Sequence, residues 1–261
     1  MNIRKSNPEQ TGLAFRSIKN FRDTGGVPTV DGKSIKQGII FRSANPDKLS
    51  RKDLRRLYDL NIRTIIDLRA PYESKNHNKK IDDIDKLSMP LDFEQRTREK
   101  LMPYLYKRDS YDIIDEISNS LYIEILDAAV MVFRQVIEVL LSPERCPVLI
   151  HCQAGKDRTG IICALIQLAL EAERESIISD YMKSNEALLP FFRRILLVRK
   201  ILSLGFFPSN NILYAITVRQ RNIESVLDRV NDHYGGIAGY LGPSGPGLQE
   251  ITRLRKILVT N

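Results

Sequence analysis

Two apolar segments joined by a ten-residue loop constrain this chain more than any other feature of its sequence. The first, Pro147–Ile150, is short and β-branched, which predicts a buried strand. The second, Ile161–Ile166, starts an apolar run of about three helical turns, which predicts a buried helix. The loop between them, His151–Gly160, reads HCQAGKDRTG. The sequence therefore predicts a strand, a tight loop and a helix in immediate succession.

The residue types of this loop suit the binding and cleavage of a phosphate group. A loop that closes onto a helix N-terminus points several backbone N–H groups at one spot, where the helix dipole adds partial positive charge. The same field favours a thiolate at Cys152, the candidate nucleophile. Arg158 can offer a planar pair of donors to two phosphate oxygens. Thr159 is a candidate donor to the sulfur, and Gly155 and Gly160 permit tight turns.

The loop matches the Cys-x5-Arg signature of protein tyrosine phosphatases, and its full string resembles that of the bacterial tyrosine and lipid phosphatases. It is also partly similar to the loop of myotubularin-type phosphoinositide phosphatases. Three further segments resemble the bacterial branch: Asn20–Gly26 (NFRDTGG), Asp67–Arg69 (DLR) and the C-terminal stretch 233–241. The resemblance thus covers most of the chain. It implies substrate-binding roles for Gln153, Ala154, Gly155, Lys156, Thr159, Gly160, Arg22 and Asp23.

The resemblance also implies a two-step phosphatase reaction with Cys152 and Arg158 as catalytic residues and without a metal or another cofactor. The identity of the proton donor stays open. Most tyrosine phosphatases use an aspartate on a Trp-Pro-Asp loop, and this chain has no tryptophan. Asp157 and Asp67 are close alternatives as catalytic acids, each of which is otherwise explained as an ion-pair partner, and Asp92 ranks behind them.

The substrate class is less constrained than the reaction. Lys156 places a second cation beside Arg158, which an inositol lipid with several phosphates would use and a singly phosphorylated tyrosine would not require. We expect activity on phosphotyrosine, with phosphoserine, phosphothreonine or phosphoinositides as further substrates. The alternative is a module that recognises phosphorylated partners without turnover. Such modules usually lose the cysteine or the arginine, and this chain keeps both.

The composition limits the kind of partner. The net charge of +8 and the pI of about 9.4 favour anionic partners such as phosphorylated proteins, phosphoinositides or an anionic membrane face. No nucleic-acid-binding motif accompanies the charge, so nucleic acid is not expected. Three unpaired cysteines suit a reducing compartment. With neither a signal-peptide pattern nor a transmembrane segment, we expect a cytoplasmic protein, or one exported without a cleaved signal. The oligomeric state stays open.

The remaining patterns predict an α/β fold in which a mostly parallel sheet is flanked by helices and followed by a helical C-terminal extension. The segment Ile62–Leu68, which is nearly all apolar at its centre, is typical of a strand buried on both faces. Residues 112–141 predict one long helix, and residues 212–234 predict helix with a break near Asn222. Residues 92–111 are either the mobile lid of the family or an ordinary surface helix. We expect one phosphatase domain, with a tail (1–19), an α/β core (20–172) and a helical subdomain (173–261).

Overall fold

The computed structural model describes residues 15–74, 81, 83–242 and 247–260. Most of the predicted tail, 1–14, lies outside the described residues. The centre of the architecture is a five-stranded sheet in the order β1-β2-β5-β3-β4. Its strands are β1 Arg22–Asp23, β2 Ile40–Ser43, β3 Thr64–Asp67, β4 Asp85–Ser88 and β5 Val148–His151.

The sheet is parallel except at one edge, where the short β1 runs antiparallel to β2. The central strand β5 pairs with β2 and β3 in a register that places His151 beside both Ser43 and Asp67. The carboxyl ends of these three strands therefore meet at one edge of the sheet, the edge where open α/β sheets bind ligands.

Helices cover both faces of the sheet and form most of the C-terminal half. They are α1 Arg51–Asp59, α2 Glu94–Leu105, α3 Tyr111–Ala128, α4 Val130–Leu140, α5 Arg158–Ala169, α6 Arg174–Leu202, α7 Ser209–Ile216, α8 Gln220–Asp228, α9 Ile237–Leu241 and α10 Leu248–Leu258. The predicted α/β class, the mostly parallel sheet and the helical extension are confirmed. The division at Ala172 into a core and a subdomain stays a prediction.

The burial of β5 on both faces explains why its sequence is continuously apolar. Val148 and Ile150 belong to the main hydrophobic core with α4 and α5. Leu149 points to the opposite face, where it packs in a smaller cluster with Leu57 of α1 and Ile65 of β3. A strand with helices on both sides has no polar face to show in its sequence.

Two predicted helix boundaries are wrong. The segment 112–141 is two helices, α3 and α4, which meet at Ala129. The break expected near Asn222 falls earlier, between α7 and α8, and Asn222 itself is buried in the first turn of α8. Neither boundary has a proline or glycine that would mark it in the sequence. The spacing of apolar residues was therefore the only signal, and it did not locate the two breaks.

Candidate active site

Cys152 lies directly beyond the carboxyl end of the central strand, and the residue is 3% exposed. The chain then forms a loop, and α5 begins at Arg158. The predicted strand, loop and helix are therefore all present. In the described part of the chain, no backbone N–H from Gln153 to Arg158 donates to a protein acceptor. Six consecutive donors at a helix N-terminus are thus available to one anion, where the helix dipole is most favourable.

The carbonyl groups of the loop are held on the side away from these donors. The Asn20 amide donates to the carbonyls of Ala154 at 3.2 Å and Gly155 at 2.8 Å. The guanidinium of Arg42 donates to the Gly155 carbonyl at 2.9 Å. Because a peptide carbonyl and the following N–H point in opposite directions, fixing the carbonyls outward turns the N–H groups inward.

Gly155 is required by the shape of the loop. Its φ is +67°, in the left-handed region that favours glycine. A Cβ atom on this residue would lie 2.1 Å from the carbonyl oxygen of Ser43, at the end of β2. The predicted role of Gly155 in a tight turn therefore has a second cause, which is the close approach of the loop to the neighbouring strand.

Arg158 is fixed by a carboxylate that the sequence patterns did not reveal. Its Nη1 and Nη2 donate to the two oxygens of Glu73 at 2.6 and 2.8 Å, and both side chains are 7% exposed. Nη1 also contacts the carbonyls of Leu68 and Leu91. Nε has no hydrogen-bond partner in the described chain, so the edge formed by Nε and Nη2 can reach two oxygens of a phosphate.

A buried charge cluster supports the loop from below. Asp180 of α6 accepts from Arg22 at 2.9 Å and from Arg42 at 3.1 Å. Arg22 also donates to Asn20, the residue that holds the loop carbonyls. Burial raises the pKa of Asp180, but the two guanidinium groups lower it further, so that its pKa lies below the usual value. Two cations on one carboxylate leave net positive charge beneath the anion site.

The structure does not bring Asp23 to the loop, in contrast to its predicted substrate-binding role. Its carboxylate accepts from the backbone N–H groups of Gly25 at 2.7 Å and Gly38 at 2.6 Å. Asp23 therefore closes the turn after β1. Arg22 is also not directed at the substrate position, because Asp180, Ser184 and Asn20 take up its donors. Arg22 acts on the site through Asn20.

Asp157 borders a cleft beside the loop. Lys156 Nζ lies 2.9 Å from one of its oxygens and 2.8 Å from the other, and the Tyr122 hydroxyl donates to it. Burial raises the pKa of Asp157, but Lys156 and the Tyr122 hydroxyl lower it to below the usual value. The Asp157 side chain is still 34% exposed, against 13% for Lys156. Asp157 is therefore accessible from the cleft, while Lys156 is largely engaged with it.

Asp67 is more tightly enclosed by basic groups. Arg69 donates to its carboxylate through Nε, Nη2 and the backbone N–H at 2.7–3.1 Å. His151 Nε2 lies 3.8 Å away, and burial lowers the pKa of this imidazole. The third candidate, Asp92, accepts from the Tyr72 hydroxyl at 2.5 Å. The ion pair between Asp67 and Arg69 that the sequence left open is present.

The other predicted loop residues differ in their surroundings. The Thr159 hydroxyl is buried and has no hydrogen-bond partner among the residues described, so the expected bond to the Cys152 sulfur is not formed. The Gln153 side chain is exposed. Gly160 packs against Tyr181, since a Cβ would lie 3.0 Å from its ring. Lys156, Asp157 and Arg158 together line the cleft under α2, α3 and α7.

The start of α2 lies between two clefts beside the loop. Glu94 lines the cleft over Lys156 and Asp157, and it also lines a second cleft with Glu73 and Gln153. Residues 92–111 are thus mostly helical and border the site. Their function as a lid stays a prediction.

Three charged residues of the site were missed from the sequence: Glu73, Arg42 and Asp180. Glu73 lies 85 residues from Arg158 in the chain, and no local pattern connects them. Arg42 had a usable signal, because a charged residue directly after the apolar strand residues Ile39–Phe41 needs a partner when it is buried. Asp180 is the partner, but it lies on a helix 138 residues away.

Comparisons with known proteins agree with this geometry. A model of the tyrosine phosphatase family matches residues 13–260. A putative tyrosine-protein phosphatase of Cupriavidus necator is 26% identical over 232 residues, which are 88% of this chain and 82% of the relative. The triple specificity protein phosphatase PtpB of Mycobacterium tuberculosis is 25% identical over 274 residues, covering 92% of this chain and 96% of PtpB.

Solved structures show partial backbone similarity. TpbA of P. aeruginosa in complex with phosphotyrosine has 18% identity and a TM-score of 0.34, covering 57% of this chain and 71% of TpbA. The core catalytic domain of the PP-IP phosphatase SIW14 from S. cerevisiae has 20% identity and a TM-score of 0.35, covering 60% and 77%. The family match extends from residue 13 to residue 260 and includes the whole loop. This chain therefore belongs to the tyrosine phosphatase family and is a phosphatase.

Proposed function

We propose that this phosphatase hydrolyses phosphomonoesters through a cysteinyl-phosphate intermediate on Cys152. The observation that carries the proposal is the run of six N–H groups from Gln153 to Arg158 that directly follows Cys152 and has no acceptor among the residues that the structure describes. Together with the free edge of Arg158, these donors suit the equatorial oxygens of a phosphoryl group in transfer. Fixed donors aimed at developing charge are the main source of stabilisation in such reactions.

In the first step, the Cys152 thiolate attacks phosphorus, and a sulfur–phosphorus bond forms as the phosphorus–oxygen bond to the leaving group breaks. The leaving oxygen takes a proton from a carboxyl group. In the second step, water attacks the phosphorus, the thiolate leaves, and inorganic phosphate is released. The same carboxylate can accept the proton of that water, which returns the enzyme to its starting state.

We propose Asp157 as the proton donor in preference to Asp67. Asp157 is adjacent to Arg158 and lines the cleft, whereas Arg69 occupies both oxygens of Asp67. In the free enzyme the pKa of Asp157 is below its usual value because of Lys156 and Tyr122. A bound phosphate dianion nearby opposes that effect, because a like charge favours the protonated acid. The substrate therefore promotes the protonation that its own cleavage requires.

For the substrate class we propose phosphotyrosine together with phosphoserine, phosphothreonine or phosphoinositides. The name of PtpB describes a triple specificity protein phosphatase, which supports a broad choice of substrates here. Lys156 supports the proposal of polyphosphorylated substrates, since a second phosphate could replace Asp157 as the ion-pair partner of its ammonium group. A panel of phosphopeptides and of mono- and polyphosphorylated inositol lipids tests this. We expect Lys156→Met to reduce activity on polyphosphorylated lipids more than activity on phosphotyrosine.

Turnover of an aryl phosphate by wild-type protein and by Cys152→Ser tests the reaction itself. We expect phosphate release by the wild type and none above background by the variant. Cys163→Ser is the matched control, because this second buried cysteine lies within α5 and outside the loop. Wild-type turnover by Cys152→Ser would refute the mechanism. Tight binding of a phosphopeptide by the wild type without phosphate release would instead support a non-catalytic recognition module.

A further inference from the structure

The end of the α6–α7 hairpin exposes an unusual number of large apolar side chains. Six of them lie within ten residues and are 50–87% exposed, and we call this group the apolar tip: Leu197, Val198, Ile201, Leu202, Leu204 and Phe206. With 3.6 residues per turn, the four on α6 fall within an arc of about 140°. The opposite side of the helix carries the buried Leu196. The tip is therefore an exposed apolar face at the C-terminal end of α6 and in the turn that follows it.

The same segment is strongly basic and contains no acidic residue. Between Glu186 and Glu224 the sequence has six Lys or Arg residues and neither Asp nor Glu. Arg193, Arg194 and Lys200 form no ion pair with any residue that the structure describes. Arg193 and Arg194 precede Leu202 by eight to nine residues, which is about 12–14 Å along a helix. The basic groups thus lie behind and beside the apolar tip.

We infer that this hairpin docks the enzyme on the surface of an anionic phospholipid bilayer, with the apolar tip inserted among the lipids and the basic residues at the headgroups. An apolar face flanked by Lys and Arg is the pattern of interfacial segments, whose apolar side enters the boundary by about 5–10 Å. Basic residues near the surface add attraction to anionic lipids. The arginines lie about 12–14 Å behind the tip along the helix, so insertion of the tip by about 5–10 Å leaves them at the level of the headgroups.

Charge complementarity favours lipid over a second copy of this chain. A dimer formed through the tip would bring the four basic residues in the C-terminal part of α6, Arg193, Arg194, Arg199 and Lys200, close to the same four of a second copy, which is repulsive. A fluid anionic lipid surface instead attracts these basic residues and takes up the exposed apolar side chains.

The position of the hairpin connects this surface to the active site. α7 begins at Ser209 and reaches Ala215, which lines the cleft over Lys156 and Asp157. The distance from Ser209 to Ala215 along the helix is about 9 Å. A second contact links α6 to the loop. The Lys19 ammonium group lies 5.9 Å from the centre of the Phe191 ring, and Lys19 is followed in the sequence by Asn20, which holds the loop carbonyls. Docking through the tip would therefore bring the catalytic loop near the membrane.

Co-sedimentation of the full chain with phospholipid vesicles tests the inference. We expect the wild type to bind vesicles of phosphatidylcholine and phosphatidylserine, and to bind phosphatidylcholine alone more weakly. The triple variant Leu202→Ser/Leu204→Ser/Phe206→Ser should lose at least about tenfold in partitioning, the effect of removing one buried Leu or Phe. The control substitutes three other apolar residues that are 62–72% exposed, Val30→Ser/Met131→Ser/Leu248→Ser, and should bind like the wild type.

A charge variant separates the electrostatic contribution to vesicle binding from the contribution of apolar insertion. Arg193→Gln/Arg194→Gln should lose about 25-fold on phosphatidylserine vesicles, at about a factor of five per basic residue, and little on phosphatidylcholine. Circular dichroism checks that each variant is folded. Cys152→Ser should bind vesicles like the wild type, which keeps this test independent of the proposed reaction. Absence of wild-type binding, equal binding by the tip variant, or a wild-type dimer that the tip variant converts to monomer would overturn the inference.

Discussion

Replacing Glu73 by glutamine tests whether the buried carboxylate holds Arg158 for catalysis. The substitution preserves the size of the side chain but removes its charge and turns an amide donor toward the guanidinium. One oxygen remains to accept from Arg158 or from the Ala70 N–H, which Glu73 now satisfies at 2.9 Å. The guanidinium stays buried at 7% exposure without a counter-charge. We therefore expect losses of both stability and activity.

The expected magnitude follows from the burial of the pair. Removing one partner of a buried ion pair costs about 3–5 kcal/mol, and the remaining oxygen of glutamine places this variant near 3 kcal/mol. For a chain of 261 residues, with an unfolding entropy of about 2.1 cal/mol/K per residue, that loss lowers the Tm by about 5 °C. A shift of the guanidinium by about 1 Å should lower kcat/KM by about 10²-fold.

Glu124→Gln is the matched control, because Glu124 pairs with Arg96 and Lys100 at the surface, where the three side chains are 27–59% exposed. It should cost less than about 1 kcal/mol and leave activity unchanged. Calorimetry measures the change in Tm, and aryl phosphate turnover measures the change in kcat/KM. If Glu73→Gln matched this control in Tm and in kcat/KM, the supporting role of Glu73 would be refuted.

The pH dependence gives an independent check on the same pair. Burial raises the pKa of Glu73, but the Arg158 guanidinium lowers it further, to below the usual range. A lowered pKa in the folded state means that the carboxylate stabilises the fold above its unfolded pKa and loses this effect as the pH falls through the folded value. The Tm difference between wild type and Glu73→Gln should thus be full at neutral pH and shrink in acid. A difference that grows in acid would contradict the assignment.

Three further predictions concern the loop and the proton donor. Gly155→Ala should abolish turnover, because its Cβ would meet a strand carbonyl at 2.1 Å; Gly38→Ala, also at positive φ but in open space, should cost only about 1 kcal/mol of stability and no activity. Asp157→Asn should lower kcat on phosphotyrosine by about 10²-fold or more, and far less on an activated aryl phosphate, with loss of the basic limb of the pH profile; the same pattern in Asp67→Asn instead would reverse our assignment. Tyr122→Phe removes a hydroxyl that lowers the pKa of Asp157, so the basic limb should move to higher pH, and an unmoved limb would exclude Asp157 as the titrating acid.

The part of the site that lies in one continuous stretch was predictable from the sequence. The strand before Cys152, the helix after it and the turn at Gly155 all depend on neighbouring residues, whose apolar pattern and glycine spacing are local signals. The parallel sheet was predictable for the same reason, because a strand buried on both faces is apolar throughout.

Glu73 and Asp180 were not predictable, because they reach the site through the fold. Glu73 comes from the connection after β3 and Asp180 from α6, and neither carries a sequence pattern that points to the loop. Asp23 shows the opposite problem. It lies within the segment that resembles the family, next to Arg22, yet its carboxylate closes a turn instead of facing the site.

Helix boundaries without a proline or glycine were also beyond the apolar pattern. The break between α3 and α4 at Ala129 interrupts a continuous helical period, and only the packing of both helices against the core fixes it. Conversely, Pro190 lies inside the continuous helix α6, where a helix boundary is the usual expectation. Tertiary packing decides both cases against the local preference.

Trapping the reaction intermediate tests the proposed chemistry most directly. Wild-type protein mixed with excess aryl phosphate is quenched in acid during turnover, digested and analysed by mass spectrometry for a phosphate adduct. We predict the adduct on the peptide that carries Cys152, on the sulfur itself, and its accumulation in Asp157→Asn if that carboxylate also assists the attack of water. An adduct on a different residue, or turnover with a rapid release of phosphate but no adduct at any quench time, would contradict the cysteinyl-phosphate mechanism.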